Sequence, residues 1–115
     1  MIYFIKRLKM RCIWSWAGVV DAWQNEHSFR SWVWANVVSA LFALWFLSGM
    51  ELALILILGV LVLAAELFNT ALERAVDYIS TEPHPLAKQA KDAGSAGVAV
   101  TAFAAGLAWV IVVFS

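Results

Sequence analysis

The chain has 115 residues, 63% hydrophobic and 14% charged, and its eight basic and eight acidic side chains sum to zero. A water-facing domain carries roughly 25% charged residues, so a mean hydropathy of +0.81 with seven Trp and seven Phe excludes a soluble surface and leaves a membrane. No basic excess calls for nucleic acid, and the lone Cys12 excludes an internal disulfide framework and a cysteine zinc site.

At this length the chain forms one domain, residues 1–115. Its N-terminal segment, residues 1–28, interleaves Lys6, Arg7, Lys9 and Arg11 with Ile, Leu, Trp and Val, as an amphipathic helix lying in the membrane interface does. Trp14, Trp16 and Trp23 suit that depth. A secretory signal is the competing reading. Asp21 and Glu26 follow its apolar stretch, and no small-residue cleavage site is present.

Ser31 to Met50 is a run of 20 uncharged residues, enough for a helix to cross the hydrocarbon, so the first span is placed at 31–50. The next run, Leu52 to Ala65, has only 14 residues before Glu66, and such a helix reaches only about 21 Å. Apolar Leu67, Phe68, Ala71 and Leu72 continue the pattern, so the second helix is read as 51–79 with Glu66 at membrane depth. Thr81-Glu82-Pro83-His84-Pro85 cannot continue a helix, because proline lacks the amide hydrogen. A third membrane helix is placed at 86–114; its last 23 residues, with the terminal Ser115, carry no charge from Ala93 onward. The fold class is therefore all-α integral membrane. By the positive-inside rule, the basic residues before the first span and at Arg74, Lys88 and Lys91 put the N-terminus in the cytoplasm and the C-terminus outside.

An ionisable residue at membrane depth costs roughly 2.5–3.5 kcal/mol even on the lenient insertion scale, so Glu66 raises a functional hypothesis. At about 100° per residue, Asn69, Glu73 and Asp77 fall within about 60° of it on one helix face. Carboxylates in such a stripe suit Mg²⁺, which takes one or two of them and fills its shell with water and phosphate oxygens. Lys91 beside them would meet nucleotide phosphate, and Glu66 would act as general base toward a lipid hydroxyl at that depth. No glycine-rich phosphate loop is present. An ion or proton pathway, or a non-enzymatic membrane protein, is the rival use of the same carboxylates.

The run Glu66-Leu-Phe-Asn69-Thr-Ala-Leu-Glu73-Arg-Ala-Val-Asp77, followed by Lys91-Asp92-Ala-Gly94-Ser95-Ala96, resembles the signature of the small prokaryotic diacylglycerol kinase family, which includes undecaprenol kinases. Ala22-Trp23-Gln-Asn25-Glu26-His-Ser-Phe29-Arg30 resembles that family's upstream segment. The resemblance implies a homotrimer in the bacterial inner membrane with active sites shared between subunits, transferring the γ-phosphate of ATP, with Mg²⁺, to a lipid hydroxyl. Diacylglycerol is the expected acceptor, undecaprenol or another lipid alcohol the alternative.

Carried over by position, Glu66 matches the catalytic base, and Glu26 with Glu73 the metal-binding pair. Arg7, Trp14, Glu26, Glu73, Glu82, His84, Lys91 and Asp92 match nucleotide-contacting positions. Arg7, Trp23, Phe29, Arg30, Trp45, Met50, Glu66 and Ser95 fall along the lipid-substrate path, and Asn69 and Asp77 support the stripe. Two positions depart from the pattern: Trp14 stands where tyrosine is usual, and Trp32 where a polar residue is usual. The plain readings are that Glu66 is a structural acid bonded to Asn36, Glu73 a solvated helix-end charge beside Arg74 or Asp77, and His84 a loop residue.

Overall fold

The computed structural model describes residues 1–115 as four helices, α1 (Ile2–Asn25), α2 (His27–Phe46), α3 (Gly49–Ile79) and α4 (Pro85–Val113), with no strand. α2, α3 and α4 are each long and apolar enough to cross a membrane. The chain is an all-α membrane protein with three such helices and one further N-terminal helix.

The first boundary falls earlier than charge counting places it. α1 stops at Asn25, Glu26 is extended (φ −116°, ψ 106°), and α2 starts at His27, taking Arg30 into its first turns. No proline or glycine forces the break. In an unbroken helix the carbonyls of Trp23 and Gln24 would accept from amides four residues on. The Arg30 Nη1 group donates to both instead, at 2.7 and 3.2 Å. A cation at a helix C-terminus also opposes the partial negative charge that gathers there.

Leu47 and Ser48 are extended, and Gly49 takes φ +60°, which a residue with a Cβ enters only at a cost. Met50, placed at the end of the first span by charge counting, consequently lies with Glu51 in the first turn of α3, where Glu51 complements the helix N-terminus. At the other connection His84 caps α4, its Nδ1 accepting from the Leu86 amide at 3.0 Å, and Pro85 occupies the first helical position.

α3 packs along both α2 and α4, whereas α1 touches the bundle only lightly. Residues 1–19 are exposed, and Ala22 is the one buried residue of α1. A small core of Ala43, Ile55, Ala108 and Val112 closes the bundle near the α2–α3 turn. Trp109 Nε1 donates to Ser39 Oγ at 2.9 Å, tying α4 to α2. Asn36 donates to the Trp32 carbonyl at 3.1 Å, and its Oδ1 fills the space that a Cβ on Gly59 would occupy. Only 10 of the 115 residues are buried, so the apolar outer faces of α2–α4 require lipid or another subunit against them.

Candidate active site

α2 begins, α3 ends and α4 begins at the same end of the bundle, and α1 joins it there. Every charged residue outside α1 except Glu51 lies on these segments, so seven of the eight acidic side chains share this end with the cations. Glu66 is the deepest, 13 residues before the α3 terminus, or about 20 Å along the axis.

The polar face of α3 divides between two neighbours. Glu66, Thr70 and Arg74, at successive four-residue steps, form the row toward α2 and the end of α1. Glu66 is only 5% exposed, and its Oε1 accepts from Ser28 Oγ at 2.5 Å, not from Asn36. Thr70 is buried one turn further on. Arg74 pairs with Asp21 and, at 2.9 Å, with Glu26 Oε1. The Arg74 hydrogen bond holds the Asp21 carboxyl below its ordinary range, with a smaller contribution in the same direction from Asn25.

The second row, Asn69, Glu73 and Asp77, meets α4. Asn69 Nδ2 donates to Glu73 Oε1 at 3.2 Å. Asn69 Oδ1 is buried without a hydrogen-bond partner and occupies the space beside Gly94 that a Cβ there would need. Lys91 Nζ lies 2.6 Å from Asp77 Oδ1, and Lys88 pairs with Asp92, also at 2.6 Å. The end of α3, the connecting loop and the start of α4 enclose a cavity of about 610 Å³. Glu82, His84, Lys91 and Asp92 line it, together with Asp77 and Lys88, and its volume lies within the ordinary range for small-ligand pockets.

Other anticipated residues are engaged elsewhere. Arg30 caps α1, and Phe29 is buried beside that junction. Trp23 lies 6.3 Å, ring to ring, from Trp34. Arg7 bonds only Tyr3, at 3.2 Å, on the exposed part of α1 that also carries Trp14. Trp45 and Met50 are exposed at the opposite end of the bundle, with Met50 about 24 Å from Glu66 along α3. Ser95 is exposed next to Gly94. Glu26 and Glu73 are held by Arg74 and Asn69 respectively, with no hydrogen bond between them. No group of three or more His, Cys, Asp or Glu side chains gathers into a metal cage.

Sequence reasoning missed Ser28 and the ties of Arg74 to α1. Neither carries a legible signal: Arg74, about 80° round α3 from Glu66, reads as a loop-side charge, and a serine in the first turn of a helix is ordinary.

A three-span helical membrane protein with a buried carboxylate, and with acidic and basic groups around a cavity at one end of the bundle, has the makings of a membrane phosphotransferase. The prokaryotic diacylglycerol kinase family matches residues 13–113. The chain is 35% identical over 102 residues to the diacylglycerol kinase of Escherichia coli K12, covering 88% of this chain and 84% of that protein. It is 40% identical over 106 residues to that of Pseudomonas aeruginosa PAO1, covering 91% and 86%. It is 38% identical over 96 residues to that of Helicobacter pylori 26695, covering 79% and 72%. The chain belongs to the prokaryotic diacylglycerol kinase family and is an enzyme, a lipid kinase. Kinases of this kind use ATP with a divalent metal ion.

Proposed function

We propose that the protein phosphorylates diacylglycerol to phosphatidate with ATP at the cytoplasmic face of the bacterial inner membrane, and that Glu66 is the general base. The observation that carries this reading is a nearly buried carboxylate within a membrane-length apolar helix, about 15 Å along α3 from a nucleotide-sized cavity lined by Lys88 and Lys91. The printed names of the relatives support diacylglycerol as the acceptor.

The chemistry is a single in-line transfer. Glu66 takes the proton of the acceptor hydroxyl as its oxygen bonds to the γ-phosphorus. The bond from that phosphorus to the β–γ bridging oxygen breaks, ADP leaves, and Glu66 returns its proton to water. Lys91 exchanges Asp77 for phosphate oxygen and steadies the charge that shifts toward the leaving group. Asn69 holds Glu73 in place through Nδ2.

The donor set fits a Mg²⁺ ion. Glu26 and Glu73 offer hard carboxylate oxygens, neither residue is buried, and two carboxylates suffice where phosphate and water complete the shell. When bound, the ion would neutralise the β- and γ-phosphate oxygens. Glu26 must then exchange its bond with Arg74, which retains Asp21.

The basic residues at this end support a cytoplasmic N-terminus and an external C-terminus. A homotrimer with active sites shared between subunits, and with α1 in the membrane interface, is compatible with the apolar outer faces of α2–α4, which lipid or another subunit must cover. Such sharing would give Arg7 and Trp14 a role that they lack within one chain.

The test supplies purified protein with labelled ATP and Mg²⁺ and with diacylglycerol, undecaprenol or no lipid. Labelled phosphatidate is the expected product. Labelled polyprenyl phosphate in its place would reassign the acceptor, and no lipid product with any acceptor would overturn the reading.

A further inference from the structure

We infer that Ser28 is a positioning residue for the base: its hydroxyl fixes one oxygen of the Glu66 carboxylate so that the other faces the acceptor hydroxyl. The inference rests on the reading of Glu66 as the base. Ser28 Oγ donates to Glu66 Oε1 at 2.5 Å, and this is the only hydrogen bond that the carboxylate receives. Oε2 accepts nothing from the chain, yet it is not a sealed atom, because the one buried side-chain oxygen without a partner is Asn69 Oδ1. The residue therefore presents one oxygen tied to α2 and one left to an incoming group.

A glutamate side chain has three rotatable bonds, and ordering it costs conformational entropy. A base that must meet a hydroxyl within hydrogen-bond reach gains rate from having that freedom removed beforehand. The neighbours of Glu66 supply no alternative clamp. Thr70 makes no hydrogen bond to it, and Asn36 is turned to the Trp32 carbonyl and Gly59.

Ser28 is exposed, and its backbone is placed by the α1–α2 junction. It lies two residues beyond Glu26, in the first turn of α2, at the break that Arg30 closes from one side and Arg74 from the other. The junction that orients Glu26 thus also orients the hydroxyl on Glu66. Its geometry links the proposed metal side of the site to the base over two residues.

The test compares Ser28→Ala, Ser28→Thr and Glu66→Gln with the unaltered protein in lipid vesicles containing a short-chain diacylglycerol, separating kcat from KM. Ser28→Ala is expected to lower kcat about tenfold, a fraction of the hundredfold or more that a misplaced reacting group costs. KM for ATP should stay unchanged, because the nucleotide cavity does not include Ser28, while loss of the one hydrogen bond to a nearly buried carboxylate lowers thermal stability. Ser28→Thr, which keeps the hydroxyl, should restore most of kcat. A merely structural serine would show the lowered stability in Ser28→Ala with kcat unchanged. If that variant does not fold, Ser28→Cys, a near-isosteric weak donor, must reproduce the selective loss of kcat. Wild-type kcat in Ser28→Ala beside an inactive Glu66→Gln would overturn the positioning role alone. Full activity in Glu66→Gln would overturn the base assignment and this inference with it.

Discussion

Lys91 Nζ lies 2.6 Å from Asp77 Oδ1, joining the start of α4 to the end of α3 across a separation of 14 residues. The pair closes one wall of the cavity, and at 39% and 50% side-chain exposure it adds at most about 1 kcal/mol to stability. Its proposed value lies in keeping a cation at the mouth of the site. Replacement of Lys91 by Ala is therefore expected to leave the melting temperature nearly unchanged while lowering kcat/KM for ATP by about tenfold or more, as loss of a charge-assisted contact to phosphate does. Steady-state kinetics beside a thermal melt checks this. A large fall in stability with unchanged ATP kinetics would assign Lys91 a structural role.

Arg74 ties α1 to α3 through Asp21 and Glu26. Because the Arg74 hydrogen bond lowers the Asp21 pKa, this acid binds a proton less readily in the folded protein than in the unfolded chain. Its contribution to docking is complete above the ordinary aspartate range and is lost as pH falls through the depressed value, below about 4. Amide hydrogen exchange around residues 20–26 should stay slow at neutral pH and quicken under acid. In Arg74→Ala it should be fast at both, and slow exchange in that variant at pH 7 would show that α1 docks without the tie.

Gly94 is required by Asn69. A methyl at Gly94 would occupy the place of Asn69 Oδ1, and the amide could not yield without disturbing its bond to Glu73. Gly94→Ala is expected to destabilise the bundle by about 1–3 kcal/mol, the usual cost of overpacking, and to weaken Mg·ATP binding by displacing Glu73. Gly97→Ala is the control, since nothing lies within 4 Å of a Cβ there. Denaturation in detergent and nucleotide titration separate the two variants; equal behaviour would remove the packing argument.

Charge-free runs located three membrane helices, because the bilayer imposes a length that composition reveals. They set the α1–α2 boundary too late. Arg30 reads as the charge that ends a surface segment, yet it lies inside α2 and caps α1, a tertiary use of a charge that spacing does not reveal. The polar face of α3 was legible from its period. Its division between α2 and α4 was not, since Arg74 reads as a loop-side charge until Asp21 and Glu26 are placed beside it. Ser28 became visible only through its distance to Glu66. His84 illustrates the converse: a residue flanked by prolines, matching a nucleotide-contacting position of the family, caps α4 while also lining the cavity.

Glu66 as the proposed base is tested most directly by setting turnover against nucleotide binding in two variants. Glu66→Gln keeps the shape and the Ser28 partner but cannot take a proton. It should lose about 10²–10⁴ in kcat for diacylglycerol phosphorylation. Its affinity for Mg·ATP should remain that of the unaltered protein. Glu73→Gln should instead lose affinity for Mg·ATP itself. Unimpaired lipid phosphorylation by purified Glu66→Gln protein would show that Glu66 is not the base.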